Sequence, residues 1–383
     1  MERSFISQGQ LQRFVNYMFN NTFKNKRVLI TGHTGFKGSW LAVWLNSLGA
    51  KVYGISDKIP TEPSHFHSAG LSNIVTDLRG NISKLDDIKA LIEKVNPDVI
   101  FHLAAQAIVR KSHNDPIETW SSNLNGTLNI LDTLRETNGE VVAIMITSDK
   151  CYDNKEWVWG YRETDALGGI DPYSASKAAA ELVIKSYVAS YFPSGDKVKV
   201  ASVRAGNVIG GADWAQDRIV PDCIRAWARG ESVNLRNPSA TRPWQHVLEP
   251  LSGYLSLASK LLGSKELHGH ALNFGPSESE VRSVYDLVSE MSKSWSSVKF
   301  SHKDSINDTV HESTLLKLNC DKAYHYLNWK ATLNFKETVD MTTTWYKNFY
   351  SKKLSKEAVL KFSEKQIEDY VSCARDRGAK WVI

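Results

Sequence analysis

Tyr173 and Lys177 stand four residues apart in the run IDPYSASK. On a helix that spacing puts both side chains on one face, one turn apart. A free tyrosine ionises near pH ~10 and is a poor base at neutral pH. An ammonium fixed one turn away favours the phenolate, which brings proton abstraction within reach. Upstream, the apolar run 141–146 ends in Thr147, Ser148, Asp149 and Lys150. Those are two hydroxyls to hold an oxygen, an acid to give a proton and a base to take one. Such chemistry sits beyond the carboxyl ends of strands in open parallel sheets.

These residues need a buried strand that delivers 147–150 and a helix that opens near Tyr173. The same alternation runs through the chain before them. Residues 26–31 (KRVLIT) read as a short buried strand. Gly32, Gly35 and Gly38 then form GxxGxxG, with Thr34 and Phe36 in the same turn, ahead of a helical run over 39–48. A glycine-rich turn lets backbone approach a diphosphate at a helix N-terminus, where free N–H groups and the dipole favour anions. The next strand, 51–56, ends at Asp57, where an acid bonds a ribose hydroxyl in an NAD-type site.

Residues 86–94 suit a helix and 98–102 (DVIFH) a third parallel strand. That strand leaves into Leu103, Ala104, Ala105 and Gln106, small residues that admit a flat ligand. Residues 116–135 read as one long helix with Asn123, Gly126 and Thr127 inside it, facing the site. A strand over 199–204 runs into Ala205, Gly206 and Asn207. This rhythm predicts an α/β fold, a Rossmann-like, right-handed, doubly wound parallel sheet over residues 24–210.

Beyond Gly210 the rhythm changes. Helices are expected over 219–229, 247–262, 321–327 and 335–350, with short strands over 233–236 and 271–274. Residues 211–383 should form mainly a smaller mixed α/β substrate-binding lobe, interleaved with the first domain. Arg218, Arg236 and Arg242 lie where it would close over a bound nucleotide, and guanidinium groups grip a diphosphate through paired hydrogen bonds. Residues 1–23 read as an N-terminal extension. Leu11, Phe14, Val15, Met18 and Phe19 have the spacing of a short amphipathic helix packed on the surface.

Composition bounds the function. The chain of 383 residues is 42% hydrophobic and 23% charged, which suits a packed globular protein. Its net charge of +5 is dispersed, with no long Lys/Arg run. That favours small anionic ligands, with neither nucleic acid nor membrane as partner. Cys151, Cys223, Cys320 and Cys373 form no CxxC, which argues for a reduced cytoplasmic protein and against a metal site. The N-terminus has no apolar run long enough for a signal or a membrane span.

The glycine turn, YxxxK, RAGNVIG and RPWQHV together resemble the extended short-chain dehydrogenase/reductases that modify nucleotide sugars. Within that group, GHTGFKGSWLAVWL, FHLAAQ, TSDKCYDNKEWVWGYRE, DPYSASK and SVRAGNVIGGADW resemble the 4,6-dehydratases that act on CDP-glucose. The likeness covers roughly residues 23–350. Asp149-Lys150 carries it, because the dTDP-glucose enzymes have Asp-Glu there and epimerases have no such pair. The resemblance implies NAD, a lyase reaction, deoxysugar biosynthesis of the O-antigen/lipopolysaccharide kind, and a homodimer built on a four-helix bundle or a homotetramer.

It also implies roles. Tyr173, assisted by Lys177, takes the proton of the sugar 4-hydroxyl, with Ser148 and Thr147 holding that oxygen. Lys150, as a neutral amine, takes the C5 proton, and Asp149 protonates the departing 6-hydroxyl. Gly80 is followed by Asn81 where the family usually has Asp, so the adenine contact from Asn81 and Ile82 lacks a charge. Gln106, Asn123, Asn207 and the three arginines are assigned to substrate. His246 reads as structural and Cys151 as a small core residue. An epimerase or reductase on the same fold needs Tyr173 and Lys177 but not Asp149 and Lys150. A dehydratase of another nucleotide sugar and a binding protein that has lost catalysis are the other readings.

Overall fold

The computed structural model describes residues 18–235, 237–277, 280–295, 298, 300–302 and 315–382. The framework runs β1 (Arg27–Thr31), α1 (Phe36–Ser47), β2 (Lys51–Ser56), β3 (Thr76–Arg79), α2 (Leu85–Val95), β4 (Val99–His102), α3 (Gly126–Arg135), β5 (Val141–Ile146), α4 (Pro172–Tyr191), β6 (Val198–Arg204), α5 (Leu248–Gly263), β7 (Ala271–Asn273) and α6 (Lys356–Asp376). The seven strands form one sheet in the order β7-β6-β5-β4-β1-β2-β3, every pairing parallel.

A parallel sheet covered on both faces needs strands that are apolar on both faces. In β1, Val28 and Ile30 join the core against α1, α5 and α6, while Leu29 joins the core against α2, α3 and α4. In β5, Val142, Ile144 and Ile146 face the first core and Val141, Ala143 and Met145 the second. A one-residue slip in register would exchange the two sets.

Several boundaries differ from the sequence expectation. The expected third strand is fourth in chain order, because β3 precedes it at the sheet's edge. Edge position explains the miss: β3 is half-exposed and its TDLR has no apolar run. The helix expected over 116–135 is three pieces, Pro116–Trp120, a π turn at Ser121–Asn125, and α3.

The second half of the chain is interleaved with the first. It gives the sheet β7 and covers one face with α5 and α6; Tyr370 of α6 meets Trp44 of α1 edge to face at 5.8 Å. Its own small strands pair apart, Val233–Leu235 with Phe300–His302 and Thr241–Pro243 with Val281–Ser283. Leu11, Phe14, Val15 and Arg236 lie outside the described residues. Met18–Asn21 is a tight turn with Phe19 and Asn20 in left-handed conformation, and Phe19 stacks on Trp381 at 5.1 Å, so this segment is tied to the far end of the chain.

Candidate active site

Chain order along the sheet reverses between β1 and β4, which leaves a crevice at the carboxyl ends of those strands. A cleft of about 1940 Å³ opens there. The glycine turn forms its floor. Gly32 has φ 76°, and a Cβ on it would lie 2.9 Å from the Ala104 backbone. A Cβ on Gly38 would lie 2.2 Å from the Gly32 carbonyl oxygen. Packing therefore demands both glycines.

Gly35 is different. A Cβ there would meet only the Gly32 carbonyl, at 3.4 Å. Gly35 lines the cleft and is the N-cap of α1, with no side chain capping the first-turn N–H groups. A bare helix N-terminus facing a cleft, with no Cβ in the way, fits a diphosphate. The walls fit the rest of a dinucleotide. Phe36, Ile82, Leu103, Ala104 and Ala105 line the cleft, and Asp57 stands half-exposed at the end of β2. Thr34 works internally, donating to the Lys58 carbonyl at 2.8 Å. Asn81 lines the cleft and accepts the Ser83 N–H at 2.9 Å, which fixes the turn.

The reacting groups enter from β5 and α4. Asp171 caps α4 by accepting the Ser174 N–H at 3.0 Å, and Pro172 pre-sets the first helical φ. That start fixes Tyr173, Lys177 and Glu181 on one stripe, all buried. Ser148 lies two residues past β5 and caps the 3-10 turn Asp149–Cys151 by accepting the Lys150 N–H at 3.2 Å. Its hydroxyl donates to Asp149 Oδ1 at 3.0 Å. Asp149 is only 3% exposed, while Lys150 is half-buried in the cleft wall.

The electrostatics correct one expectation. Burial pushes the Tyr173 phenol up to about 12; a Ser148 hydrogen bond opposes this, Asp149 adds to it, and Arg218 pulls it back. Lys177 points its Nζ at the Ile146 carbonyl, 3.4 Å away. Burial holds its amine down at about 8, against Glu181, which raises it. The phenol is thus held neutral by desolvation, which outweighs the lowering expected from Lys177.

Other expected contacts are relocated. Thr147 lines the cleft, and its hydroxyl donates to Glu181 Oε1 at 2.5 Å with a longer approach to the Val203 carbonyl at 3.2 Å. Asn123 sits behind the cleft wall. Its Nδ2 donates to Ser176 Oγ at 2.9 Å and its Oδ1 accepts the Gln106 N–H at 2.8 Å. The Gln106 side chain donates to Thr119 Oγ1 and accepts the Ile108 N–H, which shapes the loop after β4. The Asn123 amide is used inside the fold, while Gln106 also lines the cleft.

Arg218 and Arg242 do line the cleft, Arg218 paired with Asp213 at 2.8 Å. Asn207 lines it with φ 51°, a left-handed conformation that asparagine tolerates. His246 is fully buried, and desolvation holds it neutral, down at about 3. Cys151 is core. The sequence reading missed Lys37. This residue sits in the first turn of α1, lines the cleft, and has its amine lowered to about 8 by burial, Arg218 and Lys177. Its place inside GFKG was the available signal.

An uncapped glycine turn at the switch point, with Ser148, Tyr173 and Lys177 beside it, defines an extended short-chain dehydrogenase/reductase. Residues 29–342 match the model of the GDP-mannose 4,6 dehydratase family, and the chain belongs to that family. It is 42% identical to the CDP-glucose 4,6-dehydratase of Salmonella typhimurium, over 92% of this chain and 98% of that one. Two solved structures share the fold. The dTDP-glucose 4,6-dehydratase of Bacillus anthracis in complex with NAD has a TM-score of 0.69 at 18% identity, covering 84% of this chain and 96% of that one. The UDP-glucuronic acid 4-epimerase of Bacillus cereus in complex with UDP-glucuronic acid and NAD has a TM-score of 0.72 at 21% identity, covering 84% and 99%.

Proposed function

We propose that this protein is a lyase that uses NAD to convert CDP-glucose into CDP-4-keto-6-deoxyglucose. The observation that carries the reading is the acid–base pair Asp149-Lys150 on the β5 exit, in one cleft with Ser148, Tyr173 and Lys177. The 42% identical relative supports the nucleotide. Gly32, Gly35, Gly38, Asp57 and the strand exits would hold NAD. Bound there, NAD would supply the acceptor for the C4 hydride and the donor of that hydride to C6, so no net redox change would accrue.

The protein's residues move the protons. Tyr173, as the phenolate, takes the proton of the 4-hydroxyl, with Ser148 hydrogen-bonding the same oxygen. The burial that holds its phenol neutral would be opposed by the positive nicotinamide of bound NAD. The resulting 4-ketone acidifies the C5 proton, and Lys150 removes it. Asp149 protonates the 6-hydroxyl as it leaves as water. Lys150 then returns a proton to C5. Arg218 and Arg242 face the diphosphate from the second lobe, and Asn207 faces the nucleotide.

The same reading makes the protein a homodimer or a pair of dimers. Ile117, Leu182 and Tyr191 are exposed on helices that pack side by side, where Tyr187 donates to Asp132. Among the described residues no helix is long and apolar enough to cross a membrane. With four free thiols, we place the protein in the cytoplasm.

Incubation with CDP-glucose, dTDP-glucose, UDP-glucose and GDP-mannose tests the reaction, read by the ultraviolet absorbance that 4-keto-6-deoxy sugars develop in alkali. A signal with CDP-glucose alone is expected, together with loss of solvent deuterium at C5 in Lys150→Ala. A signal only with another nucleotide overturns the CDP assignment. No signal with any of the four overturns the dehydratase reading.

A further inference from the structure

We propose that the buried pair Glu181–Arg204 is a positioning device that clamps both ends of the segment carrying Ser148, Asp149 and Lys150. The proposal rests on the dehydratase reading above, which gives that segment the chemistry. Glu181 lies on α4 one turn beyond Lys177, and Arg204 is the last residue of β6. Their side chains are 2.8 Å apart and each is 3% exposed.

The two ions reach opposite ends of the segment. Glu181 Oε1 accepts the Thr147 hydroxyl at 2.5 Å, just before Ser148. Arg204 Nη1 donates to the Tyr152 hydroxyl at 2.8 Å, just after Cys151, and its guanidinium lies 4.8 Å from the centre of the Tyr152 ring. Between those anchors lie only the four residues 148–151. Further bonds tie the pair into the fold, although Arg204 Nε is buried without a partner among the described residues. Glu181 Oε2 accepts the Ser202 hydroxyl at 2.9 Å, Tyr152 donates to Asn273 Oδ1 at 2.7 Å, and Arg204 also donates to the Glu163 carbonyl. The network joins α4, β5, β6 and β7 beneath the cleft.

A buried ion pair is not needed for stability as such, because apolar residues of like volume often serve as well. Here each ion does something an apolar residue cannot. Glu181 holds Thr147 and sets a negative charge one turn from Lys177, where it supports the ammonium against burial. Arg204 holds Tyr152. Because the same carboxylate touches the β5 exit and the Tyr173 helix, it fixes the acid–base turn relative to the phenol.

Two variants loosen the clamp and leave the ion pair whole. Thr147→Val and Tyr152→Phe are each expected to lower kcat by ~10- to 100-fold with KM little changed, as a displacement of reacting groups does. Amide hydrogen exchange over 147–152 should speed up in both, with no substrate present, so it reads the clamp independently of the reaction. Glu181→Gln should move the alkaline limb of kcat/KM down by about one pH unit, since Lys177 loses its supporting charge. Glu181→Asp should restore that limb. Wild-type exchange over 147–152 in both Thr147→Val and Tyr152→Phe overturns the clamp, even if the wild-type protein acts on another substrate. An unmoved alkaline limb in folded Glu181→Gln overturns the coupling to Lys177.

Discussion

A side chain at position 206 would collide with the proposed acid. A Cβ there would lie 1.7 Å from Asp149 Oδ2 and 2.0 Å from its Cγ. The Asp149 carboxyl thus packs directly against backbone at the β6 exit, where the Gly206 carbonyl accepts from Gln245 Nε2 at 3.0 Å and cannot retreat. Gly206→Ala should therefore act as a substitution of Asp149 at a distance. We expect kcat to fall by ~100-fold or more, the scale of a lost general acid, and to match Asp149→Asn. NAD binding, measured by fluorescence titration, should survive, because the glycine turn after β1 is a separate segment. A Gly206→Ala protein with wild-type kcat would show that the carboxyl has another place to sit.

At the scale of elements, α4 carries two jobs on two faces. Its inner stripe presents Tyr173, Lys177 and Glu181, while Leu182 and Tyr191 point outward and are more than half exposed. Exposed apolar groups on a helix that already buries one face mark a second contact surface. Leu182→Glu should convert the expected dimer to monomer by sedimentation at micromolar concentration. A wild-type protein that sediments at the mass of one chain would refute the pairing.

Elements were legible where the signal is local. Strands buried on both faces give apolar runs, as in β1, β4 and β5, and the glycine turn follows from close backbone approach at Gly32 and Gly38. Edge strand β3 gives no such run. The Thr147 bond to Glu181, the Asn123 bond to Ser176 and the burial that raises Tyr173 all depend on neighbours distant in sequence. Glu181, Arg204 and Lys37 escaped notice for the same reason: a charged residue reads as solvated until the fold buries it.

The whole molecule is closed by one carboxyl. Glu249, in the first turn of α5, accepts the Thr332 N–H at 2.9 Å, the Leu333 N–H at 2.6 Å and the Tyr370 hydroxyl at 2.8 Å. It joins a sheet-covering helix, a late loop and α6, three segments far apart in the chain, and it is 1% exposed. Burial pushes it up to about 7 from 4.5, against the backbone donors that favour its anion. The folded chain therefore holds a proton on Glu249 that the unfolded chain releases between those two values. The stability tied to that proton is complete below pH 4.5 and is lost as pH rises through about 7. The difference is on the order of 3 kcal/mol for a group this deeply buried. Glu249→Gln is neutral at every pH and keeps an acceptor for the two N–H groups, so it does not suffer the loss. Urea unfolding of both proteins at pH 5 and pH 8 should show the wild type's advantage over Glu249→Gln shrinking or reversing at the higher pH. An advantage that grows with pH would mean that the three donors hold Glu249 as a stable anion, making it an ionic hub instead of a protonated one.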